Sequence, residues 1–162
     1  MTTLRRTLNY LDRNAIRYIH SMHPIAYTAR EVAAVEHIPL HKLAKTVVFA
    51  REEGYGLAVV PADSFVDLEQ LRALLGTEAL WLAKEEELAE LFPGSELGAM
   101  PPFGNLFDLP VYFDRSLVDE KFIAFNAGTH RDLIHMSVED FLRLAQPAIG
   151  EFAAHVEFSA RA

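Results

Sequence analysis

The sequence predicts a mixed α/β or α+β domain, and three observations carry that expectation. Short valine-rich runs bounded by Gly, Pro and acidic residues are intermixed with segments whose apolar residues recur at helical spacing. Thr, Asp and Ser stand where helix N-caps belong. The 162 residues are 51% hydrophobic and 23% charged, which suits one well-buried core and a single domain over 1–162.

Each element has its own signal. Leu4, Leu8, Leu11 and Ala15 recur at helical spacing behind Thr3, so residues 4–14 read as an amphipathic helix capped by Thr3, and residues 17–20 as a short strand. Thr28-Ala29-Arg30-Glu31 has the form of a capping box, and the helix it opens should end near Glu36, before Pro39. The runs LAKTVVFA (43–50) and GLAVVPA (56–62), with Glu52, Glu53 and Gly54 between them, predict an antiparallel hairpin in a sheet covered on both faces. Asp67 caps DLEQLRALLG, in which Leu68, Leu71 and Leu75 share a face and Gly76 is the stop. ALWLA reads as a strand and KEEELAELF as an acidic helix closed by Pro93-Gly94. LPVYFD, KFIAFNAG and RDLIHMS read as strands, and Ser137 caps VEDFLRLA.

Between these elements stands LGAMPPFGNLFDLP, residues 97–110. Gly98 and Gly104 permit backbone geometries that other residues avoid, while Pro101 and Pro102 fix φ and remove N–H donors. The segment is therefore stiff without being regular, as a loop shaped to hold something would be. The N–H groups of Gly98, Ala99 and Met100 are the donors such a loop can turn inward.

Charge and composition exclude several functions. A net charge of −8 argues against a protein that coats nucleic acid, although a local basic spot is compatible with it. The absence of cysteine removes disulfides, thiolate catalysis and cysteine zinc sites, and fits a reducing compartment. The N-terminal MTTLRRTLNYLDRN lacks the apolar core of a signal peptide, and no run reaches the length of a membrane span. A cytoplasmic monomer with no membrane partner is the expectation.

Two residue types carry candidate chemistry. On a strand, Lys45 shares a face with Leu43, Val47 and Phe49, and Ala44, Thr46 and Val48 take the other, so both faces around the lysine are apolar. Either Lys45 reaches solvent at the strand's end, or it is a cation held on a pocket wall for a phosphate, carboxylate or carbonyl oxygen. Of the seven histidines, His20 with His23 and His37 with His41 have spacings that could serve a cation, but Pro39 interrupts the helix that would align the second pair. Packing histidines are the better reading, and no metal or cofactor is expected. His130, in Gly128-Thr129-His130 at a turn between two strands, either projects into a neighbouring pocket or makes one backbone hydrogen bond. No GxSxG, P-loop or GxGxxG occurs, so a hydrolase built on this chain would use water or a substrate group as nucleophile, with backbone donors for the oxyanion.

AKTVVF around Lys45, the following GLAVVPAD, GAMPP at 98–102 continuing as FG, and FNAGTH ending in His130 together resemble the YbaK/EbsC family, the prolyl-tRNA synthetase associated domain, over residues 20–146. The resemblance implies a curved, mixed, largely antiparallel sheet flanked by helices, and hydrolysis of the ester of mischarged aminoacyl-tRNA. Lys45 would position the 3′-terminal nucleotide or the aminoacyl group. The Gly98 loop, with Ala99 and Met100, would hold the carbonyl, and a water helped by the terminal ribose hydroxyl would attack. His130 would shape or assist the amino-acid pocket, with Thr28 and Thr46 as further pocket residues. Arg30, Lys42 and Lys45 are the cations available to tRNA, and a chain too short for a synthetase implies a free-standing editor with a synthetase as a second partner. Alanine, serine, threonine and a cysteine-sized residue are all compatible as the amino acid removed. The competing expectations are a non-catalytic module that binds an RNA 3′ end, nucleotide or protein partner through the same groove, and an esterase for a small acyl ester.

Overall fold

Two strands form the centre of the molecule, β2 (Ala44–Arg51) and β3 (Gly54–Pro61), paired antiparallel from Ala44 opposite Pro61 to Arg51 opposite Gly54. They are the hairpin that the valine-rich runs predict. Their alternation serves two cores: Ala44, Val48, Leu57 and Val59 join the main cluster, and Phe49, Ala58 and Val60 join a second one with Leu71 and Phe152. The structure, a computed structural model, describes residues 1–155.

Around this hairpin the described residues form three sheets. The largest has the order β5 (Trp81–Leu82), β2, β3, β6 (Val111–Asp114), β9 (Ala148–Gly150). It is mixed, because β3–β6 and β6–β9 run parallel while the pairings of β2 are antiparallel. A separate antiparallel sheet has the order β1 (Tyr18–Met22), β8 (Asp132–Ser137), β7 (Phe122–Asn126), and β4 (Ser64–Val66) pairs with β10 (Ala153–His155). Mixed, largely antiparallel pairing is thus as expected, but the strands are divided among sheets. A single parallel bridge, Leu43 to Ala124, joins β2's approach to β7. From there β2 follows β3, and the two larger sheets part.

The helices begin where short polar side chains can accept from free backbone N–H groups. In α2 (Ala29–Glu36) Thr28 accepts from Glu31 N, in α3 (Leu68–Leu75) Asp67 accepts from Glu69 N and Gln70 N, and in α6 (Val138–Ala145) Ser137 accepts from Asp140 N. Gly76, in the left-handed conformation, ends α3. The acidic α4 (Glu85–Leu91) and a one-turn α5 (Arg115–Val118) complete the set. One cap differs from expectation. In α1 (Thr3–Arg13) the cap is Thr2, which accepts from Arg5 N, while Thr3 lies inside the helix, fully buried, with its hydroxyl against Ser95. Two adjacent threonines offer the same local signal, and a tertiary contact decides between them.

The broken segment 97–110 is built into the core. Phe103 is 0% exposed, and its ring centre lies 5.5 Å from Tyr10, 5.5 Å from Phe125 and 5.2 Å from Phe141. Phe107 packs edge-on against Phe92 at 4.7 Å beneath the Arg6 guanidinium. Gly104 makes this course possible: a Cβ there would stand 2.2 Å from the Leu109 carbonyl oxygen and 2.5 Å from Val111 Cγ2. Replacing Phe103 by Ala should cost about 3–5 kcal/mol of unfolding free energy, as expected for a buried aromatic, and urea denaturation measures it.

Candidate active site

The turn between β7 and β8 is fastened to the Gly98 loop by hydrogen bonds donated from both segments. Gly128 N donates to Ala99 O at 2.7 Å and Glu96 N donates to Gly128 O at 2.8 Å. The carboxylate of Glu96 accepts from His130 N at 2.9 Å, and His130 Nε2 lies 2.7 Å from Leu97 O. A carbonyl can only accept, so Nε2 carries the proton and Nδ1 of the neutral ring is left as an acceptor. His130 is 7% exposed, and its Nδ1 has no partner among the described residues. The ring thus makes the one backbone bond that the sequence offers as an alternative, and it is buried against the loop. Beneath the turn, Thr129 Oγ1 donates to Asp132 and accepts from Arg131 N and Asp132 N, while His20 Nε2 meets the other Asp132 oxygen at 2.6 Å.

These bonds set the loop's donors. Gly98 has φ +83°, a geometry L side chains avoid, and the position its Cβ would take is 3.8 Å from His130 Cε1. Of the three N–H groups proposed from sequence, Ala99 N is already spent on Glu96 O at 3.1 Å, and Ala99 is fully buried. Gly98 N and Met100 N carry no hydrogen bond among the described residues. Two of the three N–H groups, not all three, are thus left without an acceptor among the described residues.

Lys45 and Thr46 occupy the half of β2 that lacks a ladder on one side. β3 pairs along the whole strand, whereas β5 pairs only at Phe49 and Ala50. The parallel bridge from Leu43 to Ala124 puts Lys45 and Thr46 level with Asn126 and Ala127, the residues that lead into the His130 turn. Thr46 Oγ1 and Asn126 Oδ1 are both buried and unpartnered. Burial pushes the Lys45 ammonium below the usual lysine range, and the negative charge of Asp63 partly offsets this. Among the described residues no carboxylate stands within 4 Å of it.

The Thr28 hydroxyl is already employed, because it accepts from Glu31 N and donates to the Glu31 carboxylate. The residue before it is the one that sequence reasoning missed. The ring of Tyr27 lies 5.0 Å from the His130 imidazole, and Ala26 N donates to His130 O at 3.2 Å. Asn126 was overlooked as well, although FNAGTH contains it. The histidine pairs do other work: His37 closes α2 in the left-handed conformation, His41 Nδ1 meets Glu120 at 2.7 Å, and His23 Nδ1 donates to Pro24 O. No group of three or more His, Asp or Glu side chains among the described residues could hold a metal, and no helix there is long and apolar enough to cross a membrane.

The model of the aminoacyl-tRNA editing domain matches residues 23–144 of this chain, a span that holds the lysine strand, the glycine loop and the turn histidine. The chain belongs to this family. It is 31% identical to the multifunctional Ser/Thr-tRNA deacylase ProXp-y of Escherichia coli K12, over 93% of this chain and 92% of that protein. It is 36% identical to the proline–tRNA ligase of Thermosipho africanus, over 50% of this chain but only 14% of the ligase. A crystal structure described as that of a candidate trans-editing enzyme for prolyl tRNA synthetase superposes with a TM-score of 0.82 at 25% identity, covering 95% of this chain and 98% of the other.

The burial of Lys45 predicts a sign for its effect on stability. Its folded pKa lies below the unfolded one, so between the two values the unfolded state binds more protons and stability rises with pH. Below that window the buried charge opposes folding. Lys45→Met should therefore unfold at the same or a higher temperature at pH 7, and should lose the alkaline rise, both read by thermal and denaturant unfolding across pH 7–10.

Proposed function

We propose that this chain, an aminoacyl-tRNA deacylase by family, acts in trans and removes a small amino acid, serine or threonine first among alanine, serine, threonine and cysteine. The observation that carries the site assignment is Lys45: a half-buried ammonium with no carboxylate within 4 Å among the described residues, on the open edge of β2, level with the strand that leads into the His130 turn. The match along nine-tenths of both chains to a Ser/Thr-tRNA deacylase supports the substrate class and the action in trans.

In this reading Lys45 takes the phosphate or polar atoms of the 3′-terminal nucleotide, and the ester carbonyl turns its oxygen to Gly98 N and Met100 N. Water attacks the carbonyl carbon, assisted by the neighbouring ribose hydroxyl. As the tetrahedral intermediate forms, negative charge grows on the oxygen that the two N–H groups hold. The bond to the ribose 3′ oxygen then breaks, that oxygen takes up a proton, and the free amino acid and tRNA depart. His130 serves by holding Leu97, and with it Gly98, in place, and its unpartnered Nδ1 faces no competing donor. Thr46 lines the same wall, and Thr28 fixes the start of α2 beside it. The acidity of the whole chain leaves few cations for the tRNA body, so binding should be weak and salt-sensitive.

Deacylation of tRNAs charged with alanine, serine, threonine and cysteine tests this reading. The wild type should hydrolyse seryl- or threonyl-tRNA, and Lys45→Ala, still folded, should lose at least about 100-fold in kcat/KM, in line with removal of a charged contact. Survival of every ester with RNA still bound would make the groove a binding site instead. Gly98→Ala places a side chain at φ +83° and moves the donors. It should lower kcat by about 10- to 1000-fold with little change in KM, and an unaltered kcat would remove the loop from the mechanism.

A further inference from the structure

Tyr27 is 67% exposed, and its side chain makes no hydrogen bond among the described residues. Its backbone is nonetheless held on both sides, by the bond from Ala26 N to His130 O and by the capping of α2 at Thr28. The ring rests on the imidazole of His130 at 5.0 Å with the planes inclined by 59°. The imidazole is itself fixed, buried and bonded to Leu97 O. Ile25 and Leu97, on the two segments that meet here, are also exposed. A large aromatic so placed contributes little to the core and offers a flat apolar surface to solvent, one imidazole width from Gly98.

We propose that Tyr27 is the platform on which the terminal nucleobase of the RNA stacks, a positioning residue for the ester. The proposal rests on the deacylase reading above. The scissile ester sits on the terminal ribose, so with its carbonyl at Gly98 and Met100 the attached base must lie within one sugar's reach of the loop. Tyr27 is the exposed aromatic found there. Stacking on an aromatic ring is tolerant of base identity and does not depend on the phenolic hydroxyl. Gripping the base restricts rotation of the ribose, which holds the ester against the two donors.

The test uses an RNA minihelix ending in CCA with 2-aminopurine in place of the terminal adenine, whose fluorescence falls on stacking, alongside steady-state deacylation of the charged tRNA. Wild-type protein should quench the probe. Tyr27→Phe and Tyr27→Trp should quench it as well and keep KM within about twofold, whereas Tyr27→Ala should abolish quenching and raise KM about 10-fold or more with kcat changed far less. Tyr27→Leu keeps an apolar contact with His130 but has no aromatic face, so it should behave as Tyr27→Ala while remaining folded by circular dichroism. Equal quenching by wild type, Tyr27→Ala and Tyr27→Leu, or a KM unchanged in both, would overturn the stacking role and leave the deacylase reading standing. Absence of both deacylation and minihelix binding in the wild type would overturn the deacylase reading, and the stacking role with it.

Discussion

The burial of Phe103 is the contact on which the candidate site depends. A loop that carries two glycines and two prolines makes few backbone bonds of its own, and its position must come from elsewhere. Phe103 supplies it by entering the aromatic cluster of Tyr10, Phe125 and Phe141, which ties the loop to α1, β7 and α6 at once. The main-chain bonds between Glu96, Ala99 and Gly128 then only have to set the last few degrees of freedom. Because β7 provides both Phe125 and, at its end, the turn with His130, the loop and the histidine are positioned by the same strand.

Electrostatics set the other wall. An ammonium on a strand with apolar neighbours is costly, and here burial is relieved only in part by Asp63. The sheet topology explains how the protein carries that cost. β2 needs a partner on both sides to be closed off, yet β5 reaches only Phe49 and Ala50, and the bridge to β7 ends at Leu43. Between these two contacts lies an edge where Lys45 is neither in water nor in a closed core. The proposed site is thus the gap between two sheets that share one bridge. Fold and site have a common cause in the place where β2 leaves β7.

Much of this was legible before the structure. The caps at Thr28, Asp67 and Ser137, the stop at Gly76 and the β2–β3 hairpin follow from side-chain chemistry within four residues, and they stand where expected. Lys45 stood out because a charge breaks an apolar run, and Gly98 and His130 because they sit in short motifs. The misses are also physical. Thr2 and Thr3 carry the same capping signal, and Ser95 decides between them from 92 residues away. Strands β4, β9 and β10 are three residues long, too short for alternation to register. Ala99 N looked free because its acceptor, Glu96 O, is a matter of turn geometry.

Most helix starts and stops, the strands covered on both faces and the residue types that stand ready for chemistry follow from the sequence alone, since all of these arise from local sterics, burial and hydrogen-bonding preference. The tertiary structure was needed for the division of the strands into separate sheets, for the capping of α1 by Thr2 rather than Thr3, and for the contact of Tyr27 with His130. Those outcomes depend on which distant backbone group or ring packs at a shared position. Pairing between segments tens of residues apart has no signature within either segment.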